Sequence, residues 1–314
     1  MPSFEQKPVL ITGGAGFIGS HLAEALLAEG RPVWIVDNLS TGKEENIPAG
    51  AQLIQHDITE LETIHDRLGE LQIDTVYHLA AQADVNTSLR FPDQDARVNI
   101  LGTLKVINFV RDFNVRKLIF ASSCAVYGEP VELPLTEESA TAPISPYGIG
   151  KLASEHYIRF AGAHYGFAYT IFRFGNAFGP RQSSGNEGGV IAIFADRMLR
   201  QEACTIYGDG LQTRDFVYVG DIVRALRMAL DSGDNRLLAI SGQREETILA
   251  IHHNLSLLTG NQLEPVMKPS RSGDVYKIYL ANTLAADVIG WRPEWKLVDG
   301  LNEVVNAFRL KNKP

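Results

Sequence analysis

The chain has 314 residues, 45% of them hydrophobic, with 29 Lys and Arg against 37 Asp and Glu for a formal net charge of -8. That acidic balance excludes a broad nucleic-acid or anionic-membrane surface, since both need clustered basic charge. No apolar run reaches membrane-spanning length, the first residues lack a secretory signal, and the two cysteines, Cys124 and Cys204, show no metal-ligand spacing, so a soluble cytoplasmic protein with buried free thiols and no metal is expected.

An apolar run at 8–12 leads into Gly13-Gly14-Ala15-Gly16-Phe17-Ile18-Gly19 and an amphipathic stretch at 17–28. Strand, tight turn and helix in that order are what a dinucleotide site requires: one glycine for a restricted backbone angle, one for approach of the pyrophosphate, one for helix against strand. The phosphates then lie on the helix amino terminus. A second strand at 32–36 ends at Asp37, where a carboxylate accepts both ribose hydroxyls and repels a 2′-phosphate. NAD is therefore expected rather than NADP.

The alternation continues, with strands near 52–55, 73–79, 116–122 and 168–174 and helices near 60–68, 94–112 and 147–164. It predicts an α/β fold with a doubly wound parallel (Rossmann) sheet over residues 1–174. Beyond Arg173 the segment 175–189 is rich in Gly, Ser, Asn and Pro and reads as a long functional loop. Residues 175–314, with helices near 190–200, 219–230, 246–259 and 301–310, form a smaller mixed α/β substrate-binding lobe, and the segment around 214–240 is free to return to the first sheet.

Ser145 and Pro146 have the character of a helix cap and first helical residue, which puts Tyr147 and Lys151 one turn apart on one face. A free phenol titrates near pH 10, and an ammonium roughly 5 Å away in an effective dielectric of about 20 brings it down by about two units, with the nicotinamide charge adding more. Tyr147 becomes a general base on that reading. Gly148 and Gly150 each cost about 1 kcal/mol in a helix, a sign that another backbone comes close. Ser123 closes the fifth strand, at the end where open parallel sheets bind ligands, and Ser122 is its alternative because adjacent strand residues face opposite sides. Cys124 reads as packing, and His21, His56, His65, His78, His252 and His253 are assigned no chemistry.

With these residues in place, the chain resembles the extended short-chain dehydrogenase/reductase family, and within it the UDP-galactose 4-epimerase type. The likeness runs through Asp37-Asn38, Asp57-Ile58, Leu79-Ala80-Ala81, Asn99-x-x-Gly102-Thr103, Ser123 to Gly128, Tyr147-Gly-x-x-Lys151, Arg173 to Asn176, Gly179-Pro180-Arg181-Gln182, Arg214-Asp215-Phe216-Val217 and Arg271-x-Gly273-Asp274. The resemblance implies a tightly held NAD touched by Gly13, Gly16, Phe17, Ile18, Gly19, Asp37, Asn38, Asp57, Ile58, Leu79, Ala80, Ala81, Asn99, Tyr147, Lys151 and Phe174. It implies a UDP-sugar held by Ser123, Tyr147, Asn176, Arg181, Arg214, Arg271, Asp274 and Ile278, with Ser123, Tyr147 and Lys151 catalytic. Tyr147 would take the 4-hydroxyl proton as hydride leaves C4 for NAD, and the 4-keto sugar would turn over and be reduced on its other face.

Relatives that dehydrate or decarboxylate the sugar carry Asp or Glu just after the catalytic Ser or Thr, where this chain has Cys124 and Ala125. Ile278 stands where a size gate against N-acetyl sugars falls, so UDP-glucose/galactose, their N-acetylated forms, or both are implied. The loop 183–187 departs from the usual pattern after Arg181-Gln182 and leaves the sugar open. A UDP-glucuronate 4-epimerase, with Arg181 on the carboxylate, and a non-catalytic NAD-sensing protein are the alternatives. The resemblance also implies a homodimer joined through the helices near 94–112 and 147–164.

Overall fold

The computed structural model describes residues 6–185, 188–270 and 275–311. Strands β1 (Val9–Thr12), β2 (Val33–Asp37), β3 (Gln52–Gln55), β4 (Thr75–His78), β5 (Lys117–Ser123) and β6 (Ala168–Phe174) are followed by short β7 (Asn176–Phe178), β8 (Thr205–Tyr207), β9 (Thr213–Arg214) and β10 (Phe216–Tyr218), then β11 (Arg236–Ile240), β12 (Glu246–Thr247) and β13 (Val266–Lys268). Seven of them form one parallel sheet in the order β3-β2-β1-β4-β5-β6-β11. The direction of winding reverses between β1 and β4, the place where open α/β sheets bind nucleotides. The seventh strand comes from the return segment, far along the chain from the first six.

Helices α1 (Phe17–Ala28), α2 (His65–Gly69), α3 (Val85–Arg90), α4 (Pro92–Ala96), α5 (Thr103–Asp112) and α6 (Pro146–Tyr165) flank the sheet. They are joined later in the chain by α7 (Val190–Leu199), α8 (Val219–Met228), α9 (Ile248–Thr259), α10 (Thr283–Ile289) and α11 (Leu297–Lys311). The helix expected at 60–68 is instead a 3-10 segment, Ile58–Ile64, running into α2. The single helix expected at 94–112 is broken into α4, a π-helical turn at Arg97–Gly102, and α5. Local and distant residues both contribute: Pro92 starts a fresh helix, and the Asn99 carbonyl accepts bonds from the Thr103 hydroxyl one turn on and from the Ser154 hydroxyl of α6, each at 2.7 Å. Side chains on the pulled carbonyl widen the turn.

Strand alternation divides the core in two. Leu10, Val76, Leu118 and Phe120 join α5 and α6 on one face, while Val9, Ile11, Tyr77 and Ile119 join α1 and α8 on the other. The second cluster continues without a break into Phe194, Ile251, Leu301 and Trp291, so the later lobe shares the sheet's core. No helix among the described residues is long and apolar enough to cross a membrane.

Asp215 is the joint between lobe and sheet. Fully buried, it accepts the Leu280 amide at 2.9 Å through its carboxylate and the Asn176 amide at 2.7 Å through its carbonyl. Gly175 passes so close that a Cβ there would lie 2.7 Å from the Asp215 carbonyl oxygen. Truncation strands buried N–H groups, each costing about 1–3 kcal/mol. Asp215→Ala is expected to lower unfolding free energy by about 2–4 kcal/mol in urea titrations, and a change below about 0.5 kcal/mol would count against the joint.

Candidate active site

The nucleotide cradle is built by glycines that have no room for a side chain. Gly13 has φ +74°, and a Cβ there would lie 2.7 Å from the Ala80 nitrogen; a Cβ on Gly19 would collide with the Gly13 carbonyl. Gly16 caps α1 and would meet only the Gly13 carbonyl oxygen, at 3.2 Å, so its outer face stays open. The first turn of α1 has neither a side-chain cap nor an acidic residue, which leaves its amides for an anion.

Asp37 ends β2 with one carboxylate oxygen on the Ala15 amide and the other on the Leu39 amide, both at 2.9 Å. Each oxygen keeps a lone pair for a hydroxyl. Asn38 donates to Asp57 at 2.8 Å, and although burial acts against it, the Thr59 amide and hydroxyl together with Asn38 hold the Asp57 carboxyl below its usual range. Ile58 is buried beside Gly102. Leu79, Ala80 and Ala81 leave the carboxyl end of β4, and Phe174 that of β6, paired in register with Ser123. The Asn99 side chain is engaged with Gln82 and Asp95, so it shapes the cradle wall rather than projecting from it. Beneath, His78 bridges the Thr12 and Thr103 hydroxyls at 2.8 and 2.9 Å, and burial pushes it down to about 3, a neutral tie between β1, β4 and α5.

The residues expected to react lie where α6 meets the end of β5. Ser145 caps α6 through the Gly148 amide, with Pro146 first, as the sequence suggested. The Ser123 hydroxyl lies near enough to the Tyr147 phenol to act against the rise that burial imposes on it, and it accepts the Ala125 amide at 3.1 Å. Ser122 turns the other way and donates to Glu155. Lys151 is 3% exposed, donates to the Ala121 carbonyl at 2.8 Å, and lies 4.8 Å from the Phe120 ring centroid and 5.9 Å from that of Tyr147. A Cβ on Gly148 would lie 2.6 Å from the Ala125 carbonyl oxygen, the backbone approach expected; Gly150 instead faces the side chains of Asn99 and Asp95.

The phenol does not follow the expectation drawn from Lys151 alone. Burial pushes Tyr147 up to about 12, with only the Ser123 hydroxyl acting the other way. Burial likewise pushes Lys151 down to about 8, opposed by the Asp95 and Glu155 carboxylates. Both groups are desolvated, and each disfavours its own ion.

On the opposite wall β7 carries Asn176, whose buried Oδ1 has no hydrogen-bond partner among the described residues, and β9 carries Arg214, which donates to the Thr213 carbonyl at 2.8 Å. Arg271 and Asp274 lie outside the described residues. Arg181, at φ +67°, turns onto α1, donating to Glu24 at 2.8 Å and Ser20 at 3.3 Å. Ile278 is 3% exposed and packs with Cys124, Val126, Tyr127 and Leu280 immediately behind Ser123. Sequence reasoning missed Glu155, whose signal is its place four residues after Lys151 on the same face of α6, and it missed the contribution of Arg173 and Asp215, which has no signal in spacing. No group of three or more metal-ligating side chains occurs among the described residues.

The family model for the NAD dependent epimerase/dehydratase family matches residues 9–240. The chain belongs to that family. It is similar to the UDP-glucose 4-epimerase of Thermotoga maritima, solved with UDP-glucose, at 42% identity and TM-score 0.96, covering 98% of this chain and 100% of that one. It is also similar to the Thermus thermophilus UDP-glucose 4-epimerase solved with NAD, at 38% identity and TM-score 0.91 over 96% and 99% of the two chains. A third likeness is to the UDP-N-acetylglucosamine 4-epimerase of Methanobrevibacter ruminantium in complex with UDP-N-acetylmuramic acid, at 33% identity and TM-score 0.93 over 98% and 100%. The residues present fit the family's cofactor: the open face of Gly16, the uncapped α1 terminus and the lone pairs of Asp37 match a pyrophosphate and a ribose.

Because Lys151 titrates at about 8 in the fold against 10.5 ordinarily, the folded chain loses that proton first. Stability contributed by this site therefore rises as pH climbs from about 8 to 10.5, where only the unfolded chain still binds the proton. In cofactor-stripped protein, Lys151→Met is expected to be more stable than wild type at pH 7 by on the order of 1–3 kcal/mol, with the gap narrowing towards pH 10. Urea titrations at several pH values check this, and a gap that did not narrow would refute it.

Proposed function

We propose that this chain interconverts the C4 epimers of a UDP-hexose, with NAD as the tightly held cofactor. The observation that carries the reading is that α6 brings Tyr147 and the buried Lys151, one turn apart, to the end of β5 where Ser123 stands, at the carboxyl edge of the nucleotide cradle. NAD, when bound, supplies the acceptor and donor for the hydrogen at C4 and a positive ring that favours the phenolate. Tyr147 accepts the O4 proton and later returns it, Ser123 holds the same hydroxyl in line, and Lys151 holds the nicotinamide ribose and offsets the phenolate charge. Asn176 and Arg214 hold the diphosphate end, with Arg271 and Asp274 completing that grip. The sugar itself is left free to turn about its pyrophosphate bonds.

Chemistry beyond C4 lacks its groups. Elimination or decarboxylation needs a further acid and base, and after Ser123 come a buried thiol pushed up to about 12 by desolvation and the methyl of Ala125. The engagement of Arg181 with Glu24 favours a neutral hexose over a hexuronate, and the compact Ile278 supports acceptance of N-acetyl sugars.

Leu101, Ile149, Tyr157 and Phe160 are 46–62% exposed along the π-turn and α6, and this apolar stripe supports a homodimer through those helices. Two buried free thiols suit a reducing, cytoplasmic setting. Light scattering should give twice the 34.5 kDa chain mass at micromolar concentration; a monomer there overturns the dimer.

Purified protein without added reductant, assayed by NMR against UDP-galactose, UDP-N-acetylgalactosamine and UDP-galacturonate, is expected to convert one or both of the first two. No conversion of any of them would refute the epimerase reading in favour of NAD sensing. Tyr147→Phe is expected to lose at least about a hundredfold in kcat while keeping its NAD, and a near wild-type rate would remove Tyr147 from the proton transfer.

A further inference from the structure

Ser122, Glu155 and Arg173 lie beneath the reacting groups and form a closed polar unit in the core. Glu155 is on α6, on the same helix face as Tyr147 and Lys151 at spacings of four residues, so the three make successive rungs about 6 Å apart. Each rung meets the end of β5 at a different place: Tyr147 beside Ser123, Lys151 at the Ala121 carbonyl, Glu155 at the Ser122 hydroxyl. Arg173 is the cross-strand partner of Ser122 on β6 and reaches the same carboxylate with Nε at 3.0 Å and a terminal nitrogen at 2.7 Å. All three residues are less than 5% exposed. Arg173 is further fixed by the Tyr127 ring, 4.8 Å from its guanidinium carbon, and by the Glu137 carbonyl at 3.3 Å.

We infer that Ser122, Glu155 and Arg173 are positioning residues that set the direction of the Ser123 hydroxyl, a reading that rests on the function proposed above. Ser122 and Ser123 are consecutive at the end of β5, so holding Ser122 against Glu155 fixes the backbone from which the Ser123 hydroxyl reaches towards Tyr147. The bidentate ion pair supplies the rigidity, because Glu155 cannot follow Ser122 without breaking two charge-assisted bonds to Arg173. The hydroxyl of Ser122 therefore acts on the reaction only through its neighbour. None of the three is aimed at the nucleotide cradle.

Ser122→Ala removes one hydroxyl and leaves the Glu155–Arg173 pair intact, so the fold is kept, which retained NAD content and melting temperature verify. In the holoenzyme it is expected to lower kcat about tenfold or more with KM for the UDP-sugar unchanged. Placed on a Ser123→Ala background, the same change is expected to cost less than about twofold, since the hydroxyl it orients is gone. A near wild-type kcat for Ser122→Ala, or an equal loss in both backgrounds, would overturn the assignment. Wild-type protein run alongside separates the two levels of argument: if it converts no UDP-sugar the epimerase reading fails, whereas an active wild type with an unaffected Ser122→Ala removes only the positioning role.

Discussion

The burial of one ammonium governs this architecture. Lys151 is almost fully enclosed, and its hydrogen bond goes to a main-chain carbonyl rather than to a carboxylate. A charge so placed costs several kcal/mol unless the surroundings restore part of its solvation. Here that restoration comes from the Ala121 carbonyl, the Phe120 ring face, and the fields of Asp95 and Glu155. An ion pair at contact would stabilise the charge better but would also neutralise its field at the phenol. Keeping both carboxylates one step removed leaves the ammonium available to the reaction.

That arrangement requires α6 to lie hard against the sheet end. Gly148 admits the Ala125 carbonyl, and Gly150 admits Asn99 and Asp95, at the expense of helix propensity. The π-turn before α5 belongs to the same fit: it presents the Asn99 carbonyl to Ser154 of α6 and places the Asn99 side chain against Asp95. Lobe and sheet are then bound into one core through β11 and Asp215, so the wall with Asn176 and Arg214 is fixed relative to Ser123. Rigid nucleotide grips around a loosely bounded sugar are what turnover of a 4-keto intermediate demands.

The parts legible in the sequence are those enforced by local chemistry. Glycines at Gly13, Gly16 and Gly19, Asp37 at a strand end, and the Ser145-Pro146 cap just before Tyr147 all act within a few residues of themselves. What was illegible depends on residues far apart. The break at Arg97–Gly102 needs Ser154 from another helix, β11 joins the sheet only through long-range packing, and α10 is seven residues with little periodicity of its own. Tyr147 shows the same limit in energy rather than geometry. Spacing gave the proximity of Lys151 but not the burial of the phenol, which pushes it up to about 12 in the chain alone.

The choice between Ser122 and Ser123 lies at that boundary, since strand alternation says they differ but not which faces the ligand. Glu155 supports Ser123 in that role, because a buried carboxylate paired with Arg173 already engages the Ser122 hydroxyl. The same wall restricts the chemistry. Next to Ser123, Cys124, Val126 and Ile278 belong to one buried apolar cluster. Elimination needs a further acid and base, and Cys124 and Ala125 directly after Ser123 supply neither. For the C4 chemistry proposed here, the outcome then turns on which face of C4 is presented when the hydrogen returns.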